Sequence, residues 1–212
     1  IGTSNMDIYP LGLGGNTFGN TTGPAASEKV LDAFFAAGGT LIDTADSYSS
    51  WVPGNKGGES ETIIGDWMRR RDVRDAMLIA TKVSQHPKFM GLSPGNIAKA
   101  ADASLRRLQT DHIDLYYAHY DDEKTPIAES ARAFDRLVRA GKVRYVGLSN
   151  YTAARIEEWM RAARENWCAR PWARQPNYSL VHRKNYEETL APVAAKWRLG
   201  LRPYFSLASG FV

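Results

Sequence analysis

The sequence predicts an α/β fold of the (β/α)8 barrel type, and three observations carry that expectation. Helical patterns alternate with short β-rich runs from residue 27 onward, an order that implies parallel strands joined by crossover helices. Polar residues interrupt apolar runs where strands end, as in TLIDTADSY, MLIATKV and IDLYYAHY, and barrels of this type build their sites at those C-terminal strand ends. No GxGxxG fingerprint joins a strand to a helix, because Gly12, Gly14, Gly15 and Gly19 have other spacings. That weighs against a doubly wound open sheet, which remains the alternative.

The elements follow in order. Ile8 to Leu13 is the first apolar run and is read as a strand. A helix over Ser27 to Ala37 takes Ser27 as its N-cap, turns Val30, Phe34 and Ala37 to one face, and stops at Gly38-Gly39. Strand LID follows, then a helix from Ser60 to Arg70 that buries Ile63, Ile64 and Trp67 or Met68, then strand MLIATKV. A helix from Ser93 to Leu108 has Pro94 in its first turn and Ile97, Ala101, Leu105 and Leu108 at helical spacing. Strand IDLYYAH leads to a helix over Pro126 to Ala140 that faces Ile127, Phe134, Leu137 and Val138 inward and ends at Gly141. Strand VRYVGLS, a helix over Thr152 to Asn166, a short strand at Arg174 to Pro176, a helix over Tyr186 to Arg198 that Pro192 should kink or break, and strand GLRPYFS complete the units. This makes seven strands where a closed barrel needs eight and about 250 residues, so the expectation is one domain over residues 1–212, truncated or incomplete after the seventh strand.

Composition excludes several function classes. With 212 residues, 43% of them hydrophobic and 24% charged, the chain has material for one core. The net charge of +4 is dispersed; its one tight cluster, Arg69-Arg70-Arg71, falls at a helix end where cations favour the dipole, so it reads as a solvated face and not as a nucleic-acid patch. A lone Cys168 forms no intrachain disulfide and suits a reducing cytoplasm. No apolar stretch approaches the ~18 residues of a membrane span, and the N-terminus has no basic region before an apolar run. The expectation is a cytoplasmic protein without nucleic-acid, membrane or metal partners, its oligomeric state open.

Asp43, Tyr48, Lys82 and His119 form the candidate site. Leu78, Ala80 and Lys82 share one face of their strand by alternation, as do Ile113, Leu115, Tyr117 and His119 of the next. Each polar residue therefore continues an inward row, and the three strands are neighbours in a barrel. A phenol, with its reference pKa of about 10, is too weak an acid near neutrality unless its phenolate is stabilised. A Lys82 ammonium at ~4 Å and an effective dielectric of ~20 is worth about 4 kcal/mol, roughly three pKa units before desolvation is subtracted. Asp43 would keep that lysine charged, and His119 would orient a polar substrate group. Singly each has a plain structural reading: a loop cap, an ion-pair partner, a core histidine, a loop aromatic. Their joint arrival at three consecutive strand ends is what argues for proton-transfer chemistry.

With these motifs in place, the chain resembles the aldo-keto reductases. The resemblance rests on an aspartate five residues before a tyrosine in DTADSY, a lysine in ATKV, a histidine in DLYYAH, and GKVRYVGLSNY followed by RQPNYSLVHR, with LGLGGNTFG at one end and PYFSLASGF at the other. It implies a TIM barrel that reduces aldehydes or ketones with NADP(H), Tyr48 acting as general acid, Lys82 lowering its pKa, Asp43 pairing with Lys82 and also bordering the cofactor, and His119 orienting the carbonyl. It further implies that Ser149, Asn150 and Gln175 hold the nicotinamide carboxamide, that Tyr204 stacks on the ring, that Phe205 and Leu207 lie near the pyrophosphate, and that Gly15 and Asn16 form the loop after the first strand. Asn150 also reads as a helix N-cap, and Tyr204 as a core aromatic. The adenosine 2'-phosphate site of the family would lie past Val212, so NADP over NAD is implied by the resemblance alone. Phe18 and Trp51 are expected to wall the substrate pocket, and the GNKGG stretch to be mobile.

Two rival functions are kept. The family also resembles cytoplasmic β subunits of potassium channels, which hold nucleotide and dock on a partner with little turnover. A Schiff-base lyase using Lys82 is the other, disfavoured because Asp43 would hold the amine charged.

Overall fold

The computed structural model describes residues 1–212. The first strand, β1 (Gly12–Gly14), leads into α1 (Pro24–Ala36), β2 (Leu41–Asp43), α2 (Glu59–Arg71) and β3 (Leu78–Val83). A small hairpin of β4 (Gln85–His86) and β5 (Phe89–Met90) precedes α3 (Pro94–Leu108) and β6 (Ile113–Ala118). Then come α4 (Ile127–Arg139), β7 (Val143–Ser149), α5 (Ala153–Glu165), β8 (Pro171–Gln175), α6 (Ala191–Trp197) and β9 (Gly200–Leu201). Seven strands pair in parallel in the order β1-β2-β3-β6-β7-β8-β9, while β4 and β5 pair antiparallel. The sheet is a curled TIM-type barrel wall of seven strands with helices on its outside, as the alternation predicts.

Strand alternation divides the apolar side chains into two layers. Met6, Leu41, Ala80, Leu115, Tyr117 and Ala173 fill the inside of the wall. Outward residues such as Ile42, Ile79, Val83, Tyr116, Val146 and Leu148 join helix residues including Ile64, Trp67, Ile97, Phe134 and Trp159 in the larger outer layer. Burying a large apolar side chain contributes roughly 1.5–3 kcal/mol, so this outer layer is what fastens each helix to the wall. In register, Asp43 lies beside Ala80, Lys82 beside Tyr117, Tyr117 beside Gly147, and Ser149 beside Gln175. The inward row thus turns from apolar to polar toward the C-terminal ends.

Several local expectations are revised. The first helix begins at Pro24 with Gly23 as N-cap; Ser27 lies inside it, its Oγ donating to the Thr22 carbonyl. Leu31, not Val30, is the buried anchor, and Val30 is 42% exposed. The hairpin of β4 and β5 was not expected. A π turn at Asn185–Leu190 precedes α6, and Pro192, which has no N–H to donate, sits in the first turn of that helix instead of kinking one continuous element. Asn150 is not an N-cap: Thr152 caps α5, its side chain accepting from the Arg155 N–H at 3.3 Å. Arg70 and Arg71 pair with Glu28 and Asp32 of α1, which fits a surface role for that cluster. No helix is long and apolar enough to cross a membrane.

Candidate active site

Asp43 closes β2, and the chain then turns so that Tyr48 comes back over the strand ends. That turn is pinned from behind: Thr44 Oγ1 and Ser60 Oγ lie 2.8 Å apart, and Ser60 Oγ donates to the Gly15 carbonyl at 2.8 Å. Lys82 rises from β3 and is 1% exposed. Its ammonium spends all three donors, on the Asp43 carboxylate, on the Thr44 carbonyl at 2.6 Å and on the Tyr48 hydroxyl at 3.0 Å. The second oxygen of Asp43 accepts from Gln175 Nε2 at 2.6 Å and lies 3.9 Å from Arg202 Nη2. His119 follows β6, held by its backbone N–H on the Val83 carbonyl at 2.9 Å. Its ring stands edge-on to that of Tyr48, with centroids 6.1 Å apart, and its Nδ1 is buried without a partner. The structure thus brings all four expected polar residues to one mouth.

The electrostatics revise one expectation. Burial is the largest influence on Tyr48 and pushes the phenol above its usual value; the Lys82 charge pulls it back, and Asp43 adds to the rise. Lys82 therefore does not lower the pKa of Tyr48 below 10 in this state, because desolvation of the phenolate outweighs the cation. For Lys82 itself, burial pulls down, but Asp43 and Tyr48 outweigh it and the ammonium is held above its ordinary range. His119 is driven down to about 2, by burial first and the Lys82 charge second. Around neutral pH the mouth therefore holds a protonated phenol, a charged ammonium and a neutral imidazole.

The residues expected at a nicotinamide are also gathered here. Ser149 Oγ donates to the Gln175 carbonyl at 2.9 Å, and Asn150 Nδ2 donates to the His119 carbonyl at 3.0 Å and to Ser149 Oγ at 3.1 Å. The Tyr204 hydroxyl donates to Asn150 Oδ1 at 2.8 Å. Gln175 meets Ser149 through its backbone carbonyl, while its side-chain amide reaches Asp43. A hydroxyl and two primary amides on neighbouring strand ends, able both to donate and to accept, are of the chemical type that fits the carboxamide end of a dinucleotide. Gly15 is buried, and its backbone N–H donates to the Asp43 carbonyl at 2.8 Å; a Cβ there would come within 2.8 Å of Ser60 Oγ, so packing requires this glycine. Asn16, Phe205 and Leu207 are exposed.

The two substrate-wall expectations part. Trp51 is 57% exposed and stands edge-on to Tyr48 with centroids 6.3 Å apart, beside the mouth. Phe18 does not line it: the ring is 1% exposed in the outer layer, where an apolar side chain after β1 gains more from full burial. The GNKGG stretch is stapled as well, with Asn55 Nδ2 on the Gly19 carbonyl at 2.9 Å and the Glu59 carboxylate accepting the N–H groups of Lys56 and Gly57. Sequence reasoning missed Arg202, which points inward from just past β9. Its signal was a lone cation at an inward position of GLRPYFS.

Comparison with known proteins agrees with this geometry. The model of the Aldo/keto reductase family matches residues 10–212, and the chain belongs to that family. An aryl-alcohol dehydrogenase of Pestalotiopsis microspora is 31% identical over 224 residues, covering 98% of this chain and 56% of that protein. Norsolorinic acid reductase B of Dothistroma septosporum is 32% identical, covering 98% of this chain and 55% of its own length. Protein tas of Escherichia coli is 32% identical over 98% of this chain and 67% of its own. The chain thus spans little more than half the length of the first two.

Proposed function

We propose that this chain carries the catalytic half-site of an NADP(H)-dependent oxidoreductase that reduces an aldehyde or ketone, with aryl carbonyls as the favoured class. The observation that carries the reading is the Tyr48 hydroxyl, 3.0 Å from a buried, fully hydrogen-bonded ammonium. A bound dinucleotide supplies the hydride. The side chains do the rest: the Tyr48 hydroxyl gives its proton to the carbonyl oxygen as that oxygen gains charge, and the phenolate left behind is stabilised by the Lys82 ammonium. A phenol held above its ordinary pKa is protonated before reaction, as a donor must be. His119, neutral, offers a hydrogen bond to the same oxygen, and Asp43 keeps Lys82 charged. Ser149, Asn150, Gln175 and Tyr204 would hold the nicotinamide end, with Gly15, Asn16, Phe205 and Leu207 along its approach. Trp51 supplies an aromatic wall, and names among the relatives include an aryl-alcohol dehydrogenase.

The test is turnover. The chain oxidises NADPH in the presence of a small aromatic aldehyde, and Tyr48→Phe lowers kcat by about 10²–10⁴ while NADPH affinity, read by Trp quenching, is kept. Loss of NADPH binding in that variant would instead make Tyr48 a structural residue. Binding of NADPH without multiple turnover on any aldehyde would favour the nucleotide-holding, partner-docking reading.

A further inference from the structure

Arg174 is the one guanidinium in the fold that is buried and has no hydrogen-bond partner. It points outward from β8, between inward-facing Ala173 and Gln175, and the residue is 3% exposed. Its Nε and Nη1 are buried without a partner, and its Cζ stands 5.0 Å from the centre of the Tyr186 ring. Leaving a cation in that state costs stability unless something compensates it. No carboxylate does: burial pulls the guanidinium down to about 10, and the small opposing effect comes from Tyr186.

The arginine lines a cavity of about 460 Å³ between the ends of β7 and β8, the start of α5 and the π turn. No Asp or Glu lines it. Ala153 is the first residue of the 13-residue α5, and its backbone N–H has no acceptor. Asn177 and Asn185 add side-chain amides whose N–H groups donate to nothing in the protein. A guanidinium, a helix N-terminus and two amides thus line one cavity, a donor set of the kind that binds an oxyanion.

We propose that this cavity is an oxyanion site, with Arg174 as the charged ligand for a phosphate group. Asn150 and Tyr204 form its inner wall and are also expected at the nicotinamide, so the phosphate is either free or borne by a bound dinucleotide. The experiment is a thermal melt of the full chain in inorganic phosphate against chloride at matched ionic strength. At phosphate about 100-fold above its Kd, Tm rises by roughly 5–10 °C in the wild type. Arg174→Met abolishes that rise and, in chloride, is no less stable than the wild type, because it removes an uncompensated buried cation. Ala153→Pro is the second variant: proline is favoured at a first helical position and only removes the N–H, so the fold is kept while phosphate affinity drops about 5- to 10-fold. NADPH titration then assigns the source, an assignment that rests on the cofactor reading above as the first arm does not. Phosphate that competes with NADPH in the wild type and not in Arg174→Met places the dinucleotide's phosphate here; NADPH affinity indifferent to phosphate makes the ligand a free oxyanion. A phosphate melt no higher than chloride, or an equal rise in Arg174→Met and Ala153→Pro, overturns the site.

Discussion

The Nζ of Lys82 lies 3.0 Å from the Oη of Tyr48, yet the phenol is harder to ionise than a free one. Proximity to a cation is therefore not enough to make a strong acid; the same burial that concentrates the ammonium's field also disfavours the phenolate. Under the proposed function, the pair would act at the moment of proton transfer, when negative charge forms beside a donor already in place.

Lys82→Met tests that arrangement. It removes the donor and leaves the Asp43 carboxylate buried against Gln175, with Arg202 3.9 Å away as the remaining cation. Breaking a buried pair from one side costs about 3–5 kcal/mol, so urea unfolding should show a large loss. Asp43→Asn combined with Lys82→Met should recover much of that stability and none of the kcat. Recovery of activity in the double variant would remove Lys82 from the chemistry.

His119 provides a pH test with a definite sign. Its folded pKa of about 2 lies below the ordinary 6.5, so the unfolded chain binds a proton that the folded chain refuses between those values. Stability should fall as pH drops below about 6.5, by up to ~1.4 kcal/mol per unit for this one group. His119→Gln should flatten the slope by one proton in urea titrations. The rate of carbonyl reduction should show no break between pH ~5 and ~8 from this imidazole.

Asp46 gives the opposite sign. Its carboxyl is fully buried with both oxygens lacking a partner, and burial first, Glu61 second, hold its pKa well above the usual carboxylate range. The folded chain keeps a proton that the unfolded chain releases above about 3.9. The contribution is thus present at acid pH and lost as pH rises through the folded value. Asp46→Asn, which cannot ionise, should gain stability relative to the wild type on going from pH 4 to pH 8, read as a widening gap in urea midpoints.

Trp51 separates binding from chemistry. One aromatic edge-to-face contact is worth about 0.5–1.5 kcal/mol, so Trp51→Ala should raise KM for an aryl aldehyde about 2- to 12-fold. The same variant should leave KM for a short aliphatic aldehyde unchanged. Equal effects on both would move Trp51 from substrate wall to loop packing.

The strand ends were legible because Asp43, Lys82 and His119 break apolar runs at points where a buried strand has no other use for charge. Period-two alternation then placed them on the inside. What the sequence could not show was depth. Val30 and Leu31 are neighbours of similar apolarity, and the packing of α1 on α2 decides which is buried. Phe18 suits a pocket wall or a core equally well until the loop after β1 is folded. The pKa of Tyr48 depends on desolvation, a property of the surroundings and not of spacing, and the isolation of Arg174 is visible only once β8, α5 and the π turn enclose it. The β4–β5 hairpin, in QHPKFM, is too short for alternation to register.

Asp43 is the meeting point of distant parts of the chain. Its backbone carbonyl takes the Gly15 N–H, its carboxylate takes Lys82 from β3, and its other oxygen takes Gln175 from β8, 132 residues away. Contacts so far apart in sequence are slow to form and carry a large chain-closure cost. Competence to react should consequently switch on late in refolding, after most helix has formed, and a fragment lacking either end should be helical yet inert.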